Sequence, residues 1–248
     1  MWKAEDERMK QNDISSNLNQ WNRLDKYSQW MYHSYEQYIG KRVLDVGAGV
    51  GNLTQFMLDR CELVIGVDIF EHQIDIMKKR FIKYPNFTAK FINILEDDIE
   101  DLKQYELDTV VCINVLEHLE DDRAAIERMK SLLVAKGRLI ILVPAWKFLY
   151  SHLDKNVGHH RRYNKGELRK LAEKCDMKII ENKYFNCLGI IPYYLKGKFS
   201  KDSGGSFSTD LNGVNSKVYN IMASVLEPIE KKLKPKAGLS EIIILEKS

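Results

Sequence analysis

The 248-residue chain is poor in cysteine, with four residues, and in proline, with five, and it has no long apolar segment. Its longest uninterrupted apolar run is Leu139 to Val143, well short of the roughly 18–20 residues that a membrane-spanning helix requires. The polar N-terminus offers no apolar signal-peptide core. No pair of cysteines has C-x-x-C spacing, which indicates buried thiols in a reduced, cytoplasmic setting. The four are Cys61, Cys112, Cys175 and Cys187.

The net charge of +3 is too small to indicate nucleic-acid binding, and no nucleic-acid partner is expected. Lysines do concentrate late in the chain. A solvated face is the simplest explanation for them, and an anionic substrate or a membrane surface is the alternative. They are Lys196, Lys198, Lys201, Lys217, Lys231, Lys232, Lys234 and Lys236.

The most informative segment is Val43–Thr54, in which β-favouring residues run into glycines at every second position. This pattern predicts a strand, a tight turn and a helix start, with the backbone open to close approach by a ligand. Asp45 precedes the first glycine by two residues, and its carboxylate suits a cationic group such as an amino-acid ammonium. A dinucleotide fingerprint would need its third glycine where Asn52 stands, so a nicotinamide oxidoreductase is the weaker alternative.

Beyond this segment strands and helices alternate, which predicts a parallel sheet covered on both faces. Ligands of such sheets bind at the carboxyl ends of the strands. The predicted strands are Arg42–Val46, Leu63–Val67, Thr88–Asn93, Asp108–Ile113, Arg138–Val143 and Lys178–Tyr184. The predicted helices are Asn52–Arg60, Glu71–Lys83, Asp97–Gln104, Asp121–Leu133 and Lys165–Cys175.

The pattern D-x-G-x-G-x-G resembles the first motif of class I S-adenosylmethionine-dependent methyltransferases. Further segments look like the successive blocks of that family, namely Val64–Asp68, Asp108–Asp122 and Gly137–Val143. The H-x-R-R-Y run at 159–163, Tyr184-Phe-Asn186-x-x-Gly189 and Gly238-Leu-Ser240 resemble a bacterial subgroup that often accompanies glycosyltransferases or natural-product pathways.

The resemblance implies an α/β, Rossmann-like, doubly wound fold with a mostly parallel seven-stranded sheet, whose last strand, Glu241–Leu245, is antiparallel. It also implies S-adenosylmethionine as cofactor and S-adenosylhomocysteine as product. We expect an N-terminal helical lid over residues 1–40 and a methyltransferase domain over residues 41–248. Within that domain, residues 186–238 form a helical, substrate-covering insert before the last strand.

The expected cofactor-binding residues lie mainly at strand ends. Asp68 would accept both ribose hydroxyls, or alternatively cap the helix that follows. Asn93 and Ile94 would hold adenine, with Asp97 and Asp98 as competitors; many relatives carry Asp where Asn93 stands. Aromatic side chains of the lid would either pack on the domain or cover the sulfonium. The full set is Tyr27, Trp30, Asp45, Gly47, Ala48, Gly49, Gly51, Asn52, Asp68, Ile69, Asn93, Ile94, Asn114, Val115 and His118.

Two segments provide candidate catalytic and acceptor-binding residues. His118 follows the fourth strand and would either act as a base near the methyl group or merely fix its loop. After the fifth strand, Tyr150, Arg161 and Arg162 are the expected substrate-binding residues. The arginines would clamp an anionic group, or alternatively pair with helix carboxylates. The acceptor proton would pass to one of His118, His152, His159, His160 or Tyr163. No metal is expected, because no carboxylate or cysteine lies at a compact ligand spacing.

The sequence therefore predicts transfer of a methyl group to an oxygen or nitrogen of a small, biosynthetic acceptor that carries an anionic group. A lipid-linked glycan or a peptide amine is the alternative acceptor. From other classes, the alternatives are a nicotinamide oxidoreductase and a non-catalytic, cofactor-binding partner. Peripheral membrane contact through Leu188–Leu195 and the late lysines also stays open.

Overall fold

The computed structural model describes residues 25–199, 214–233 and 235–248. The part of the expected lid that precedes residue 25, and residues 200–213 of the expected insert, lie outside these residues. All elements named below belong to the described ranges.

A seven-stranded sheet forms the centre of the fold, with strand order β3-β2-β1-β4-β5-β7-β6. Strands β1 to β5 pair in parallel, and β7 lies antiparallel between β5 and β6. The predicted doubly wound sheet with an antiparallel last strand is confirmed. The strands are β1 Arg42–Val46, β2 Leu63–Asp68, β3 Phe87–Phe91, β4 Leu107–Ile113, β5 Leu133–Pro144, β6 Met177–Phe185 and β7 Ser240–Lys247.

Helices cover both faces of the sheet, and each face has its own apolar cluster. Alternate residues of the central strands belong to opposite clusters: Val110 packs on one face and Val111 on the other. Both are fully buried, as expected for strands that are covered on both sides. The helices are α1 Asp25–His33, α2 Glu71–Arg80, α3 Asp122–Leu132, α4 His152–Asn156, α5 Lys165–Lys174, α6 Ile190–Phe199 and α7 Val214–Leu233.

Two predicted helices are wrong in type. The segment Asn52–Arg60 contains only a short 3-10 turn, Thr54–Phe56, and the segment Asp97–Gln104 contains a 3-10 helix, Glu100–Tyr105. After the glycine turn most backbone hydrogen bonds join a residue to the third residue before it, such as Met57 N–H to Thr54 O at 3.0 Å. Such bonds wind the chain more tightly than an α-helix and favour short pieces.

The described part of the late insert is helical, as expected, and consists mainly of α6 and α7. Helix α7 continues through Pro228, which lies inside it. None of the helices in the described part of the chain has the length and apolar content needed to span a bilayer.

Candidate functional site

The turn after β1 is built around three glycines with positive φ, at 67° for Gly47, 59° for Gly49 and 84° for Gly51. Side chains would clash at two of them: a Cβ on Gly47 would lie 2.2 Å from Cγ2 of Val115, and one on Gly51 would lie 2.4 Å from a ring carbon of Phe81. At Gly49 the nearest heavy atom would be 3.4 Å away. The tip of the turn is therefore open, while its two ends are packed.

Asp45 lies inside the protein at the start of this turn. Its carboxylate is 3% exposed and accepts a hydrogen bond from Thr54 Oγ1 at 2.7 Å. Burial raises the pKa of Asp45 to about 7, and the nearby charge of Asp68 acts in the same direction. A carboxylate that is costly to ionise alone is well suited to accept a cationic partner.

Asp68 ends β2 and ties two loops together. Its carboxylate accepts the Gly49 N–H at 2.8 Å and the Phe70 N–H at 3.1 Å. The helix-cap alternative is wrong, because the cap residue of α2 is Phe70 and no side chain caps that helix. Ile69, next in the chain, is half-buried. Asp68 instead holds the open tip of the glycine turn against the end of β2.

The third strand end forms a compact polar turn. The Asn93 N–H donates to Asp97 Oδ2 at 2.7 Å, and the Asn93 side-chain oxygen accepts the Leu95 N–H at 3.0 Å. Ile94 is buried, whereas Asp98 is exposed and accepts the Glu100 N–H. Asn93 and Asp97 thus occupy one turn, and the choice between them as adenine ligands stays a prediction.

The loop after β4 lies against the glycine turn through Val115. Asn114 adopts a positive φ of 54°, and its N–H donates to Leu142 O at 2.8 Å. That bond joins the ends of β4 and β5. Residues from the predicted cofactor side and from the acceptor side therefore meet at one edge of the sheet.

His118 ends the short helical turn Leu116–His118. Its Nδ1 lies 3.2 Å from Gly158 O, and its ring meets the His159 ring edge to face at 4.7 Å between centroids. Burial lowers the pKa of His118 to about 4, with a further contribution from His159. The ring is neutral near pH 7, so His118 is a weak base, and it also connects two loops.

The predicted anion clamp has protein partners. Arg161 donates to Asp122 Oδ2 at 3.1 Å and to Glu120 O at 2.8 Å. Arg162, only 2% exposed, donates to Asp154 Oδ1 at 2.7 Å. The structure thus shows the alternative interpretation, in which both arginines pair with helix carboxylates, and an acceptor role for either stays a prediction.

The tyrosines and remaining histidines of this run occupy different environments. Tyr150 OH donates to His159 O at 2.8 Å, and buried Tyr163 OH donates to Asp122 Oδ2 at 3.0 Å. Burial and the Asp122 carboxylate raise the pKa of Tyr163 far above its usual range, so its phenol stays protonated. His152 begins α4 and is half-buried, while His160 is exposed. These observations do not test the proposal that His152 or His160 receives the acceptor proton.

Asp154 belongs to the polar run after β5 and received no site role from the sequence, but it is a buried residue with several partners. One oxygen accepts from Arg162 Nε and lies 3.0 Å from His159 Nδ1. The other accepts the Ser151 N–H at 3.0 Å and Tyr193 OH at 2.9 Å. Although burial opposes ionisation, these hydrogen bonds and the Arg162 charge lower the pKa of Asp154. The carboxylate is ionised, and its contacts join α4, the 159–162 segment and α6.

Glu117 is a second residue that sequence reasoning missed. Its side chain is fully buried, and neither carboxylate oxygen has a hydrogen-bond partner. Burial raises the pKa of Glu117 to about 8. The feature of the sequence that could have identified Glu117 as a site residue is its position in the loop directly after a buried strand.

The aromatic residues of the expected lid divide between two places: Tyr27 and Trp30 pack beside the end of β6, whereas Tyr32 stacks on Phe56, which follows the glycine turn. Trp30 packs on Phe185 at 4.4 Å between ring centroids, and Tyr27 OH accepts from Asn186 Nδ2 at 3.3 Å. A cavity of about 890 Å³ opens between α1, β6 and α7, lined by Trp30 and Tyr184 among others. The lid helix therefore packs on the domain, and its contact with a cofactor stays a prediction.

Comparison with known proteins agrees with the architecture. Residues 44–139 match a family model described as a methyltransferase domain. A solved S-adenosylmethionine-dependent methyltransferase from Archaeoglobus fulgidus superposes with a TM-score of 0.58 at 20% identity, covering 90% of this chain and 94% of that one. The N-methyltransferase NodS from Bradyrhizobium japonicum, solved with S-adenosylhomocysteine, superposes with a TM-score of 0.55 at 13% identity, covering 96% and 89%.

Curated relatives match over shorter stretches. A ubiquinone biosynthesis O-methyltransferase from Idiomarina loihiensis is 30% identical over 119 residues, or 48% of this chain and 45% of the relative. A protein of the same name from Coxiella burnetii is 25% identical over 176 residues, covering 64% and 71%. The chain spans about half the length of the first of these relatives.

The sheet order, the glycine turn and the strand-end carboxylates define the class I methyltransferase fold. Together with the family match over residues 44–139, they support a class I, S-adenosylmethionine-dependent methyltransferase domain in this part of the chain. The recognition made from the glycine motif is confirmed, as is the cofactor that this class uses. A nicotinamide oxidoreductase is not supported.

Proposed function

We propose that this protein transfers the methyl group of S-adenosylmethionine to an oxygen or nitrogen of a small-molecule acceptor. The observation that carries the proposal is the open glycine turn, fastened to Asp68 on one side and underlain by buried Asp45 on the other. This arrangement offers backbone and carboxylate groups to a ligand that has both hydroxyl and ammonium groups.

The residues present fit this cofactor. Asp45 would hold the ammonium group, Asp68 the ribose hydroxyls, and the Asn93–Ile94 turn the adenine. Gly47, Ala48, Gly49, Gly51 and Asn52 would provide backbone close to the nucleoside, with Ile69 beside it. Asn114, Val115 and His118 would line the methionine half. When bound, the cofactor supplies an electrophilic methyl group, and the protein aligns the acceptor with it, which supplies much of the rate in such displacements.

An oxygen acceptor is favoured by the names of the relatives, both of which are O-methyltransferases. Tyr150, Arg161 and His118 come from the two loops that meet beside the glycine turn, and they would orient the acceptor. His152, His159, His160 and Tyr163 stay candidates for receiving its proton, although protonated Tyr163 is poorly suited. A glycan carried by a lipid, or a peptide amine, is the alternative acceptor.

The proposal is tested with methyl-labelled cofactor and a panel of small acceptors that carry phenol, sugar hydroxyl or amine groups. We expect label in at least one hydroxylated acceptor, dependent on folded protein. Asp68→Ala is the matched inactive control, and addition of S-adenosylhomocysteine should inhibit the transfer. A protein that binds the cofactor but labels none of the three acceptor types contradicts the catalytic part of the proposal.

We also propose that this domain contacts an anionic membrane surface through helices α6 and α7. Helix α6 exposes Ile191 and Leu195, and α7 exposes Ile221, Val225, Ile229 and Leu233 at four-residue spacing. Lysines flank these apolar stripes at 196, 198, 231 and 232. Apolar side chains bordered by lysine are typical of helices that lie on lipid surfaces.

Sedimentation with vesicles tests this contact. We expect the protein to pellet with anionic vesicles at low salt, less at high salt, and little with zwitterionic vesicles. Replacing Ile221 and Val225 by serine should reduce pelleting several-fold. Ile82→Ser is the control, because Ile82 is a highly exposed apolar residue that follows α2. Equal pelleting of the control and the double variant would refute the assignment to α7.

A further inference from the structure

Glu117, His118 and His159 form a cluster of potential metal ligands. Each can offer one ligand atom, and those atoms all lie within 4.8 Å of one another. Two imidazoles and one carboxylate are the ligand types that divalent transition metals prefer. The cluster is not visible in the sequence, because Glu117 and His118 lie in the loop after β4 and His159 lies in the loop after β5.

The Glu117 carboxylate has the surroundings of a ligand. Its side chain is fully buried, and both oxygens lack a hydrogen-bond partner. A buried carboxylate without partners is costly, and such groups are normally paired or bound to a metal. Within the described residues, the closest cationic candidate is His159, whose Nε2 lies 3.7 Å from Glu117 Oε1. That separation is too long for a hydrogen bond.

His159 is oriented as metal-bound histidines are. Its Nδ1 lies 3.0 Å from Asp154 Oδ1, and because an ionised carboxylate only accepts, Nδ1 carries the hydrogen. With Nδ1 directed at Asp154, Nε2 is the ring nitrogen that faces Glu117, at 3.7 Å from Oε1. A histidine that donates its other ring N–H to a carboxylate is the usual outer arrangement of metal sites. Asp154 is itself held by Arg162, Ser151 and Tyr193.

His118 completes the set by the same reasoning. Its Nδ1 faces Gly158 O at 3.2 Å, and because a carbonyl oxygen only accepts, Nδ1 is the donor and Nε2 is the nitrogen able to bind a metal. Its ring stands edge to face against the ring of His159. The cluster therefore brings together two imidazole nitrogens and a carboxyl group whose oxygens have no hydrogen-bond partner.

We propose that Glu117, His118 and His159 bind one divalent transition-metal cation, with Asp154 as the positioning residue for His159. Three protein ligands leave coordination positions for a water molecule or an acceptor oxygen, as catalytic metal sites do. Val115, two residues before Glu117, contacts the glycine turn. If the proposed function holds, the cation lies on the acceptor side and binds the oxygen that receives the methyl group.

The expectation that no metal binds, drawn from ligand spacing in the sequence, is replaced by this proposal. Spacing along the chain is informative only when ligands come from one segment. Here the carboxylate and one histidine come from the loop after β4, and the second histidine comes from the loop after β5. The sequence does not show that these loops meet.

The test uses the full chain without an affinity tag, freed of metal by a chelator, and titrated with Co²⁺ by visible absorption and with Zn²⁺ by calorimetry. We expect one equivalent to bind and to give the absorption of Co²⁺ in an imidazole and carboxylate environment. Glu117→Gln and His159→Gln should each weaken binding by more than about 100-fold, and Asp154→Asn by about 10–100-fold, as for outer partners of metal ligands. Glu241→Gln is the matched control, since Glu241 is also buried but bonds Asn182 on β6.

Circular dichroism tests whether each variant is folded. If Glu117→Gln is not folded, His118→Gln is used in its place. No uptake of either ion by the native chain overturns the proposal. So does uptake that survives unchanged in two of the three ligand variants, because the ion would then be bound elsewhere on the chain. The titration contains no methyl donor, so its failure is distinct from a failure to bind S-adenosylmethionine.

Discussion

Replacing Asp68 by alanine is expected to raise the Kd for S-adenosylhomocysteine at least about 100-fold. Hydrogen bonds to a charged group contribute about 1.5–3 kcal/mol each. In the variant, the two ribose hydroxyls would lose their bonds to the Asp68 carboxylate. The substitution also removes the bonds that hold Gly49 and Phe70, so the tip of the glycine turn loses its anchor. Isothermal calorimetry with S-adenosylhomocysteine measures the effect directly.

Two controls separate recognition from loop structure. Asp68→Asn keeps the size of the side chain and one acceptor oxygen, so its effect should be intermediate. Asp75→Ala changes an exposed acid in α2 and should leave the Kd unchanged. An Asp68→Ala variant that binds within threefold of the native protein would remove the ribose role.

Replacing Asp154 by alanine is expected to lower the free energy of unfolding by about 3–5 kcal/mol, the usual cost of removing one partner of a buried ion pair. Arg162 would remain buried without its carboxylate, and His159, Ser151 and Tyr193 would each lose an acceptor. For a chain of this size, each kcal/mol corresponds to a change in Tm of about 2–4 °C. Urea unfolding followed by circular dichroism gives the free energy.

Tyr193→Phe is the comparison for this substitution. It removes one hydrogen bond to Asp154 but keeps the ring that stacks on Arg162 at 4.3 Å. The expected loss is about 0.5–1.5 kcal/mol. If Asp154→Ala costs no more than Tyr193→Phe, Asp154 is not the hub that the geometry indicates.

Most of the fold could be predicted because it depends on local patterns. Strand β1 and its glycine turn, the acid at the end of β2 and the late apolar strand are each readable from a few consecutive residues. The helix predicted after the glycine turn failed because apolar periodicity does not distinguish an α-helix from successive tight turns. Thr54, buried in that segment, instead bonds Asp45.

The candidate site could be predicted only where its residues lie at strand ends. Asp45 and Asp68 were found because their roles follow from their neighbours in the chain. Glu117 and Asp154 were missed because their importance comes from distant partners, namely His159 for the first and Arg162 and Tyr193 for the second. The arginines show the same limit, since the carboxylates that bind them come from α3 and α4.

The central claim is that the glycine turn, with Asp45 and Asp68, binds S-adenosylmethionine. Calorimetric titration of the folded native chain with S-adenosylhomocysteine tests it most directly, with NAD⁺ titrated in parallel. The account predicts binding of one equivalent of S-adenosylhomocysteine and none of NAD⁺. Absence of binding by well-folded protein, or preference for NAD⁺, would contradict it.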